Sequence, residues 1–379
     1  MDDVAVLDAQ PRGTTAGVAT PVLSIIIPTL NERENIEPLV SLVTAALPDT
    51  EWEVIFVDDD SRDGTAEHVR DLARRNRRVR CLQRIGRRGL ATACIEGVLG
   101  CASPYIAVMD ADLQHDERLL PQMVEALDSG AADLVVGSRY VAGGGVGDWS
   151  SSRVRMSGAA TRLARIVCKA DVADPLSGFF MCRREIFEAA LRRMSGQGFK
   201  VLLDLLASSP APPRVRELPY CFRERQHGES KLDTMIAWEY GMLLADKLVG
   251  RFVPVRFALF GLIGGLGLVV HLATLWVSLN LLAIGFSASQ AIATMVAMSS
   301  NFVLNNQFTY RDQRLRGFKL LRGLAIFYLI CGIGAIANVG VASYAFTTSH
   351  TWWLAGVAGA VIGSVWNFAM SSVFTWRRR

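Results

Sequence analysis

Short apolar runs alternate with amphipathic stretches through the first two thirds of the chain. Five runs have the length and the β-branched or aromatic content of buried strands: Val22–Ile27, Trp52–Val57, Val79–Leu82, Tyr105–Met109 and Asp133–Gly137. Helical stretches lie between them, at about 31–46, 65–76, 89–100 and 117–127. This alternation predicts a mostly parallel sheet covered by helices, which is an α/β domain.

Acidic residues follow three of these runs directly. Glu32 and Asp59 come after the first two, and Asp110 and Asp112 come after the fourth. Open α/β sheets bind ligands beyond the carboxyl ends of their strands, where Asp110, Asp112 and Gln114 would offer hard oxygen ligands to Mg²⁺ or Mn²⁺. A solvated turn with a helix N-cap is the alternative, and the D-x-D pattern alone favours neither.

The common nucleotide-binding fingerprints are absent from the sequence. The first strand runs into Pro28-Thr29-Leu30-Asn31 without a glycine-rich turn, and there is no Walker motif. Gly143-Gly144-Gly145 follows a strand but opens no helix, so it is interpreted as a loop. Acidic strand ends instead suit a nucleotide whose base and ribose need hydrogen-bond acceptors and whose phosphates need a metal.

Four basic residues lie beside turn-forming Gly and Ser in the later loops: Arg139, Arg153, Arg225 and Lys231. A single Arg or Lys is usually a solvated surface charge. Because these four share the same local setting, anion binding is the better prediction for them.

Two blocks, residues 257–310 and 323–376, contain no Asp, Glu, Lys or Arg. Each is 54 residues long, about the length of two bilayer crossings joined by a turn. The pattern predicts an all-α domain at 253–379 with four transmembrane helices, at about 257–279, 287–308, 323–345 and 353–374.

The distribution of charge predicts the orientation of these helices. Basic residues precede the first block, lie between the two blocks and end the chain, whereas the turns within each block have none. By the positive-inside rule, both termini, the central loop and the soluble part of the chain are expected in the cytoplasm. The seven cysteines include no C-x-x-C pair, which suits reduced thiols. Residues 1–20 lack an apolar core and are expected to be a flexible tail rather than a signal peptide.

The membrane half contains an internal repeat. Residues 301–310 match residues 367–376 at an offset of 66, and the two uncharged blocks start at the same offset. Two homologous hairpins related by an axis along the membrane normal are expected. Packing and helix capping are favoured over lipid-phosphate contact for Asn301, Asn305, Asn306 and Asn367. Residues 233–252 are expected to form an interfacial helix and linker, a packed soluble helix being the close alternative.

Six motifs in order resemble glycosyltransferase family two, with polyprenol- or dolichol-phosphate mannose synthases as the most similar subgroup. They are Pro28-Thr29-Leu30-Asn31-Glu32, Asp58-Asp59-x-Ser61-x-Asp63-Gly64-Thr65, Asp110-Ala111-Asp112-Leu113-Gln114-His115, Gly137-Ser138-Arg139-Tyr140, Ser177-Gly178-Phe179 and Arg225-x-x-Gly228-x-Ser230-Lys231. The resemblance covers residues 21–232 and implies a GT-A (nucleotide-diphospho-sugar transferase) fold. It also implies inverting transfer of a sugar from a nucleotide diphosphate to a lipid phosphate. The membrane half resembles the GtrA-like family.

The resemblance implies roles for individual residues. Pro28, Leu30, Glu32, Val57 and Asp59 would surround the nucleoside. Asp110, Ala111, Asp112 and Gln114 would hold the diphosphate, with Asp110, Asp112 and Gln114 also binding the metal. Arg139, Arg153 and Ser157 would bind the acceptor phosphate, and Arg225 and Lys231 would neutralise the leaving diphosphate. Asp112 and Arg139 are the expected catalytic residues, whereas His115 and His227 are expected to be structural or polar contacts rather than bases.

The resulting hypothesis is a membrane-anchored enzyme that transfers mannose from GDP-mannose to a polyprenyl or dolichyl phosphate. Leu30 stands where the family often has Tyr, and residues 86–92 replace a Lys-containing turn, so a UDP-glucose-dependent glucosyltransferase is the alternative. The repeat also raises the alternative of a glycolipid flippase. No nucleic-acid partner is expected, and a homo-oligomer formed through the membrane domain is left open.

Overall fold

Strands and helices alternate through the first part of the computed structural model, as the sequence pattern predicts. The structure describes residues 21–147, 151–196, 198–223, 234–249, 253–349 and 352–376. These residues belong to two units, Met1–Leu248 and Val249–Arg379, each of which is described by itself.

A seven-stranded sheet lies at the centre of the first unit. Its strands are β1 (Leu23–Thr29), β2 (Trp52–Asp58), β3 (Val79–Gln83), β4 (Tyr105–Val108), β5 (Leu134–Ser138), β6 (Phe180–Arg183) and β7 (Val215–Pro219). Their order is β3-β2-β1-β4-β6-β5-β7, and β6 alone runs antiparallel to its neighbours β4 and β5. The mostly parallel sheet predicted from the sequence is confirmed, with β6 and β7 as strands that the sequence pattern did not indicate.

Helices cover both faces of this sheet. They are α1 (Ile36–Ala46), α2 (Thr65–Arg75), α3 (Leu90–Leu99), α4 (Leu120–Asp128), α5 (Ser151–Val167), α6 (Arg184–Leu191), α7 (Val201–Ser208) and α8 (Thr234–Val249). Apolar residues of α1, α2 and α4 form one core with one face of the sheet, and α3, α6 and α7 form a second core with the other. Since both faces are buried, the central strands are apolar at nearly every position.

Helix α3 approaches the sheet so closely that only glycine fits at one position. A Cβ atom added at Gly97 would lie 2.5 Å from Cγ2 of Ile26 and 3.0 Å from Cγ2 of Val57. Both neighbours are fully buried strand residues, so neither can move far to make room. The spacing between α3 and the strands β1 and β2 therefore depends on the missing side chain.

Helix α8 packs onto the other helices of the first unit. Leu243 is buried with Ala164 and Leu203, and the Tyr240 hydroxyl donates a 2.6 Å hydrogen bond to the carbonyl of Ala160. Lys247 Nζ lies 2.5 Å from Oδ1 of Asp204, a carboxylate that is only 1% exposed. These contacts agree with the alternative that residues 233–252 include a helix packed on the soluble domain. A location of this helix at the membrane surface remains a prediction.

The described part of the second unit is helical. It comprises α9 (Val255–Asn280), α10 (Phe286–Leu304), α11 (Phe318–Ser349) and α12 (Trp352–Met370), which correspond to the four predicted transmembrane segments. By length and composition, Val255–Asn280 and Phe318–Ile336 are long and apolar enough to cross a membrane. Four crossings remain a prediction.

The internal repeat recurs in the structure. A turn of π-helix follows α10 at Asn305–Thr309, and another follows α12 at Ser371–Thr375, 66 residues later. Glycine also faces asparagine in both hairpins, because a Cβ at Gly267 would overlap the Asn301 amide and one at Gly334 would overlap the Asn367 amide. These contacts agree with the packing role expected for the two asparagines, since small residues allow such close approach of membrane helices.

We expect Gly97→Ala to lower the free energy of unfolding of the first unit by about 1–3 kcal/mol, because the added methyl group overfills a packed core. Thermal unfolding of the detergent-purified chain would measure the loss. Gly158→Ala in α5 is the matched control, since no atom lies within 4 Å of its added Cβ. A Gly97→Ala protein as stable as the control would contradict the close packing described here.

Candidate active site

The loops that follow β1 and β2 interlock at the carboxyl edge of the sheet. The backbone N–H of Asn31 donates to Oγ of Ser61 at 2.9 Å, and Oδ1 of Asn31 accepts from the N–H of Arg62 at 3.0 Å. The N–H of Glu32 donates to Oγ1 of Thr65 at 3.1 Å. Two of the predicted nucleoside-binding segments are thereby held together by hydrogen bonds.

The loops that follow β1, β2 and β4 each contain a non-glycine residue with left-handed backbone geometry. The φ angles are 58° at Asn31, 59° at Asp60 and 61° at Leu113. Such conformations cost on the order of 1 kcal/mol or more for a bulky residue such as leucine, and they concentrate at functional sites. Their location after β1, β2 and β4 marks this edge of the sheet as the candidate site.

The carboxylates after β4 occupy a tightly built loop. The Asp110 side chain is 39% exposed, and its Oδ2 lies 3.2 Å from Nε2 of His115. Oδ1 of Asp112 accepts the backbone N–H of Gln114 at 3.2 Å. A Cβ added at Gly178 would lie 2.8 Å from Oδ2 of Asp110, so this glycine leaves the room that the carboxylate occupies.

The donor set fits a hard divalent cation whose coordination is shared with a substrate. No cluster of three or more His, Cys, Asp or Glu suited to a metal occurs within the described ranges. Mg²⁺ is commonly held by one or two carboxylates, with substrate phosphates and water completing the shell. Asp110 and Asp112 supply two carboxylates of this kind, and the amide of Gln114 adds a further oxygen.

His115 connects the carboxylate loop to an aromatic cluster. It is 2% exposed, and its Nδ1 lies 2.9 Å from the hydroxyl of Tyr220 while its Nε2 faces Asp110. The rings of Phe179, Tyr220 and Phe222 surround it, with centroids between 5.2 and 5.9 Å away. The imidazole therefore positions Asp110, which agrees with the polar contact expected from the sequence.

Asp59 is bonded through both carboxylate oxygens. Oδ1 accepts from Nη1 of Arg84 at 2.6 Å, and Oδ2 accepts from the N–H of Gly89 at 2.6 Å. Burial raises the pKa of Asp59, while the bonds to Gly89 and Arg84 oppose that rise. Its observed role is to fix the segment 84–89 beside the site, and a contact with the nucleoside remains a prediction.

The other predicted nucleoside-binding residues differ in accessibility. Pro28, Leu30 and Glu32 are partly exposed at the end of β1, and Oε2 of Glu32 accepts from Nδ2 of Asn35 at 2.7 Å. Val57 is fully buried in the core that β2 forms with α3. The Val57 side chain therefore faces the inside of the domain, and a contact of this residue with the nucleoside through its backbone remains a prediction.

Arg139 forms a buried ion pair instead of facing open solvent. Its Nε and Nη2 each donate a 2.7 Å hydrogen bond to Asp174, and its backbone N–H donates to the same carboxylate at 3.1 Å. The Arg139 side chain is 9% exposed and that of Asp174 is 0% exposed. Burial opposes the charge of Arg139, yet the hydrogen bonds and charge of Asp174 raise its pKa overall. Asp174 thus orients a guanidinium that the family resemblance assigns to the acceptor phosphate.

The remaining predicted anion contacts are described only in part. The hydroxyl of Ser157 in α5 lies 2.7 Å from that of Tyr140. Tyr140 directly follows Arg139 in the segment after β5. The backbone of Arg153 belongs to α5, and its side chain lies outside the described residues. Arg225, His227 and Lys231 lie outside them as well, in the segment that follows Arg223. Arg223 itself is fixed by ion pairs to Asp116 and Glu117.

Sequence reasoning missed several residues that shape the site. Arg84, Asp174 and Tyr220 contact predicted residues directly, and Lys200 donates from Nζ to the carbonyl of Leu176 at 3.2 Å. Burial and Arg139 lower the pKa of Lys200, while Asp110 and Asp174 oppose that shift. The sequence does hold a signal for Arg84, because this residue directly follows β3, just as the acidic residues of the site follow β1, β2 and β4. Lys200 precedes a helix that is far away in sequence and gave no comparable signal.

The fold and this carboxyl edge define a class: a glycosyltransferase domain of the GT-A type, followed by an apolar helical domain. Residues 24–191 match the model of glycosyl transferase family 2, and residues 259–376 match the transmembrane domain model named GtrA/DPMS. A dolichol-phosphate mannosyltransferase of Pyrococcus furiosus is 33% identical over 358 residues, covering 93% of this chain and 99% of the relative. The chain therefore belongs to the dolichol-phosphate mannosyltransferase family.

Further relatives with the same name are fungal. That of Mycosarcoma maydis is 36% identical, covering 69% of this chain and 92% of the relative. That of Saccharomyces cerevisiae is 38% identical, covering 62% of this chain and 91% of the relative. Among solved structures, glucosyl-3-phosphoglycerate synthase of Mycobacterium tuberculosis, in complex with Mn²⁺, UDP and glucosyl-3-phosphoglycerate, has 20% identity and a TM-score of 0.42. The match covers 61% of this chain and 80% of the chain of that structure.

We expect Gly178→Ala to lower sugar transfer about tenfold or more, because the added methyl group displaces the Asp110 carboxylate and small misplacements in an active site are costly. Steady-state assays with purified protein would measure this loss, and the unfolding temperature would show that the fold persists. Gly158→Ala, with open space around its Cβ, should leave the rate unchanged. Wild-type turnover in the Gly178→Ala protein would mean that the reaction does not depend on the position of the Asp110 carboxylate.

Proposed function

We propose that this chain transfers mannose, with inversion, from GDP-mannose to the phosphate of a membrane polyprenol such as dolichol. The observation that carries the proposal is the archaeal dolichol-phosphate mannosyltransferase, which matches nearly from end to end, both domains included. The carboxylate loop after β4 and the buried arginine after β5 supply the two kinds of anion-handling groups that such a reaction needs.

On the donor side, Pro28, Leu30 and Glu32 contact the nucleoside at the end of β1, and Asp59 contacts it or fixes the loop beside it. Asp110, Asp112 and Gln114 hold Mg²⁺ or Mn²⁺ together with the diphosphate. When bound, the cation offsets charge that develops on the leaving nucleoside diphosphate. Arg225 and Lys231 add positive charge to the same group, and the ion pairs of Arg223 with Asp116 and Glu117 fix the chain that leads to them.

On the acceptor side, Arg139, Arg153 and Ser157 bind the lipid phosphate. A phosphate monoester is already anionic near pH 7, so no side chain has to deprotonate the nucleophile. Positioning two mutually repelling anions is then the main task of the protein. Asp174 contributes by holding the Arg139 guanidinium in one orientation through a bidentate pair, which limits the directions from which a phosphate can approach.

The membrane half places this site near its lipid substrate. In the proposed topology, four helices cross the bilayer, and both termini, the central loop at 311–322 and the catalytic domain are cytoplasmic. A polyprenyl tail is confined to the bilayer and its phosphate lies at the headgroup level. Anchoring the catalytic domain raises the effective concentration of acceptor without adding any catalytic group.

The donor assignment is tested by thermal stabilisation. We expect GDP-mannose with Mn²⁺ to raise the unfolding temperature of the purified chain and to support transfer to a polyprenyl phosphate, because binding to the folded state stabilises it. UDP-glucose under the same conditions should do neither. Stabilisation and transfer with UDP-glucose alone would instead establish the glucosyltransferase alternative.

Asp112→Asn keeps the shape of the loop and removes one carboxylate charge, so it separates the metal site from the fold. We expect this variant to lose turnover and the Mn²⁺-dependent part of the GDP-mannose stabilisation, with its unfolding temperature in buffer nearly unchanged. Wild-type activity in Asp112→Asn would mean that the D-x-D segment is only a turn.

The division of labour is tested by truncation. A chain ending at Gly250 should fold, bind its nucleotide sugar and transfer to a short, detergent-soluble lipid phosphate, yet work poorly on long polyprenyl phosphate in vesicles. Circular dichroism and parallel assays with both acceptors would measure this. Loss of transfer to the short acceptor by a folded truncated chain would place part of the active site in the membrane half.

The boundary of the truncation matters because α8 belongs to the first unit. A chain ending at Leu232 lacks Lys247 and leaves the buried Asp204 without that partner. Removing one partner of a buried ion pair costs about 3–5 kcal/mol. The shorter chain should therefore be much less stable than the chain ending at Gly250, and equal stability would contradict the packing of α8.

A further inference from the structure

A cavity of about 310 Å³ opens at one end of the second unit, where α10 runs into the connection to α11. Val303, Leu315 and Leu320 form an apolar part of its wall. Gln307, Arg314 and Arg316 form a polar part. The cavity therefore combines two cationic side chains with an apolar surface, and no residue with a role in sugar transfer contributes to it.

The wall of this cavity is held in place by one asparagine. Nδ2 of Asn306 donates to the carbonyl of Leu315 at 3.2 Å, and its Oδ1 accepts from the N–H of Leu315 at 2.8 Å and from Nε1 of Trp376 at 3.0 Å. The Trp376 ring stacks on that of Tyr310, with centroids 4.2 Å apart. Since Asn306 is 5% exposed, these bonds are shielded from water and fix the turn that presents the two arginines.

The charge of this region favours an anionic ligand. Asp312 is the one acidic residue in the sequence 249–379, against ten Lys and Arg. Arg314 and Arg316 are exposed, and within the described residues neither guanidinium is paired with a carboxylate. Arginine presents a planar fork of donors that matches phosphate oxygens.

We infer that this cavity binds the phosphate headgroup of an anionic membrane lipid, with Arg314 and Arg316 on the phosphate and the apolar wall on the adjoining part of the lipid. A soluble phosphate would leave the surfaces of Val303, Leu315 and Leu320 in water, whereas an amphiphile covers them. Basic pockets between membrane helices on the cytoplasmic side are suited to such headgroups. The location at headgroup level rests on the proposed topology, but binding itself is measured without sugar transfer.

Membrane orientation alone does not account for this arrangement. The positive-inside rule counts basic residues near helix ends, and Arg311, Lys319 and Arg322 satisfy it in the same stretch between the two uncharged blocks. None of these three lines the cavity. They therefore provide a matched control, since their removal changes net charge equally without changing the cavity.

The test uses the full chain in detergent, with lipid binding measured by native mass spectrometry and thermal stabilisation. Dioleoyl-phosphatidylglycerol should bind and stabilise, whereas dioleoyl-phosphatidylcholine and inorganic phosphate should not. Arg314→Gln/Arg316→Gln should weaken phosphatidylglycerol binding about tenfold or more, since both charge-assisted contacts with the phosphate are lost. Lys319→Gln/Arg322→Gln should weaken it less than about threefold.

Each outcome decides the inference. An equal loss of phosphatidylglycerol binding in the Arg314/Arg316 and Lys319/Arg322 variants would mean that the attraction is diffuse and that there is no specific site. Binding of phosphatidylcholine as tight as that of phosphatidylglycerol would show that charge has no role. Stabilisation by inorganic phosphate would identify a soluble anion rather than a lipid as the ligand. Displacement of phosphatidylglycerol by a short polyprenyl phosphate, lost in Arg314→Gln/Arg316→Gln, would support a site for lipid phosphates in general. Arg314→Lys/Arg316→Lys, which keeps the charge without the planar fork, should bind phosphatidylglycerol more tightly than the Gln variant, which guards against a loss caused by misfolding.

Discussion

The arrangement of the catalytic unit depends on a sheet buried by helices on both of its faces. Burial makes β1, β2 and β4 almost wholly apolar, so polar chemistry is confined to the ends of the strands. Because these neighbouring strands are parallel, their carboxyl ends lie at one edge, and the segments after Thr29, Asp58 and Val108 converge there. The left-handed residues Asn31, Asp60 and Leu113 mark the same edge, where functional loop geometry opposes local backbone preference.

Buried ion pairs then fix the loops that the sheet brings together. Arg84 holds Asp59, Asp174 holds Arg139, and Lys247 holds Asp204, and in each pair at least one partner is almost fully buried. Such pairs add little net stability compared with apolar packing, but removing one partner leaves a costly buried charge. Their consequence is conformational: the segment 84–89, the guanidinium after β5 and helix α8 each have one favoured position.

The second unit satisfies different physical requirements. Asn306 bonds Leu315 and Trp376 at the end of one hairpin, and within the hairpins Asn301 and Asn367 lie against glycines. In an apolar surrounding, close packing and internally satisfied hydrogen bonds replace the hydrophobic effect as the force between helices. The repeat makes the ends of the two hairpins equivalent, and their last aromatic residues, Tyr310 and Trp376, stack on each other.

The sequence by itself determined the features that depend on local order along the chain. The alternation of apolar runs with amphipathic stretches located β1–β5 and α1–α4, and the length of the two uncharged blocks located the four apolar helices. The carboxylates Asp110 and Asp112 followed from their place after a strand. Strands β6 and β7, the burial of Val57 and the partners Asp174, Tyr220 and Lys200 required the tertiary structure. Those contacts join segments far apart in sequence, such as Arg139 with Asp174 and His115 with Tyr220. Only the folded chain decides which side chains share a buried space, because local pattern fixes the direction of a side chain but not its neighbour.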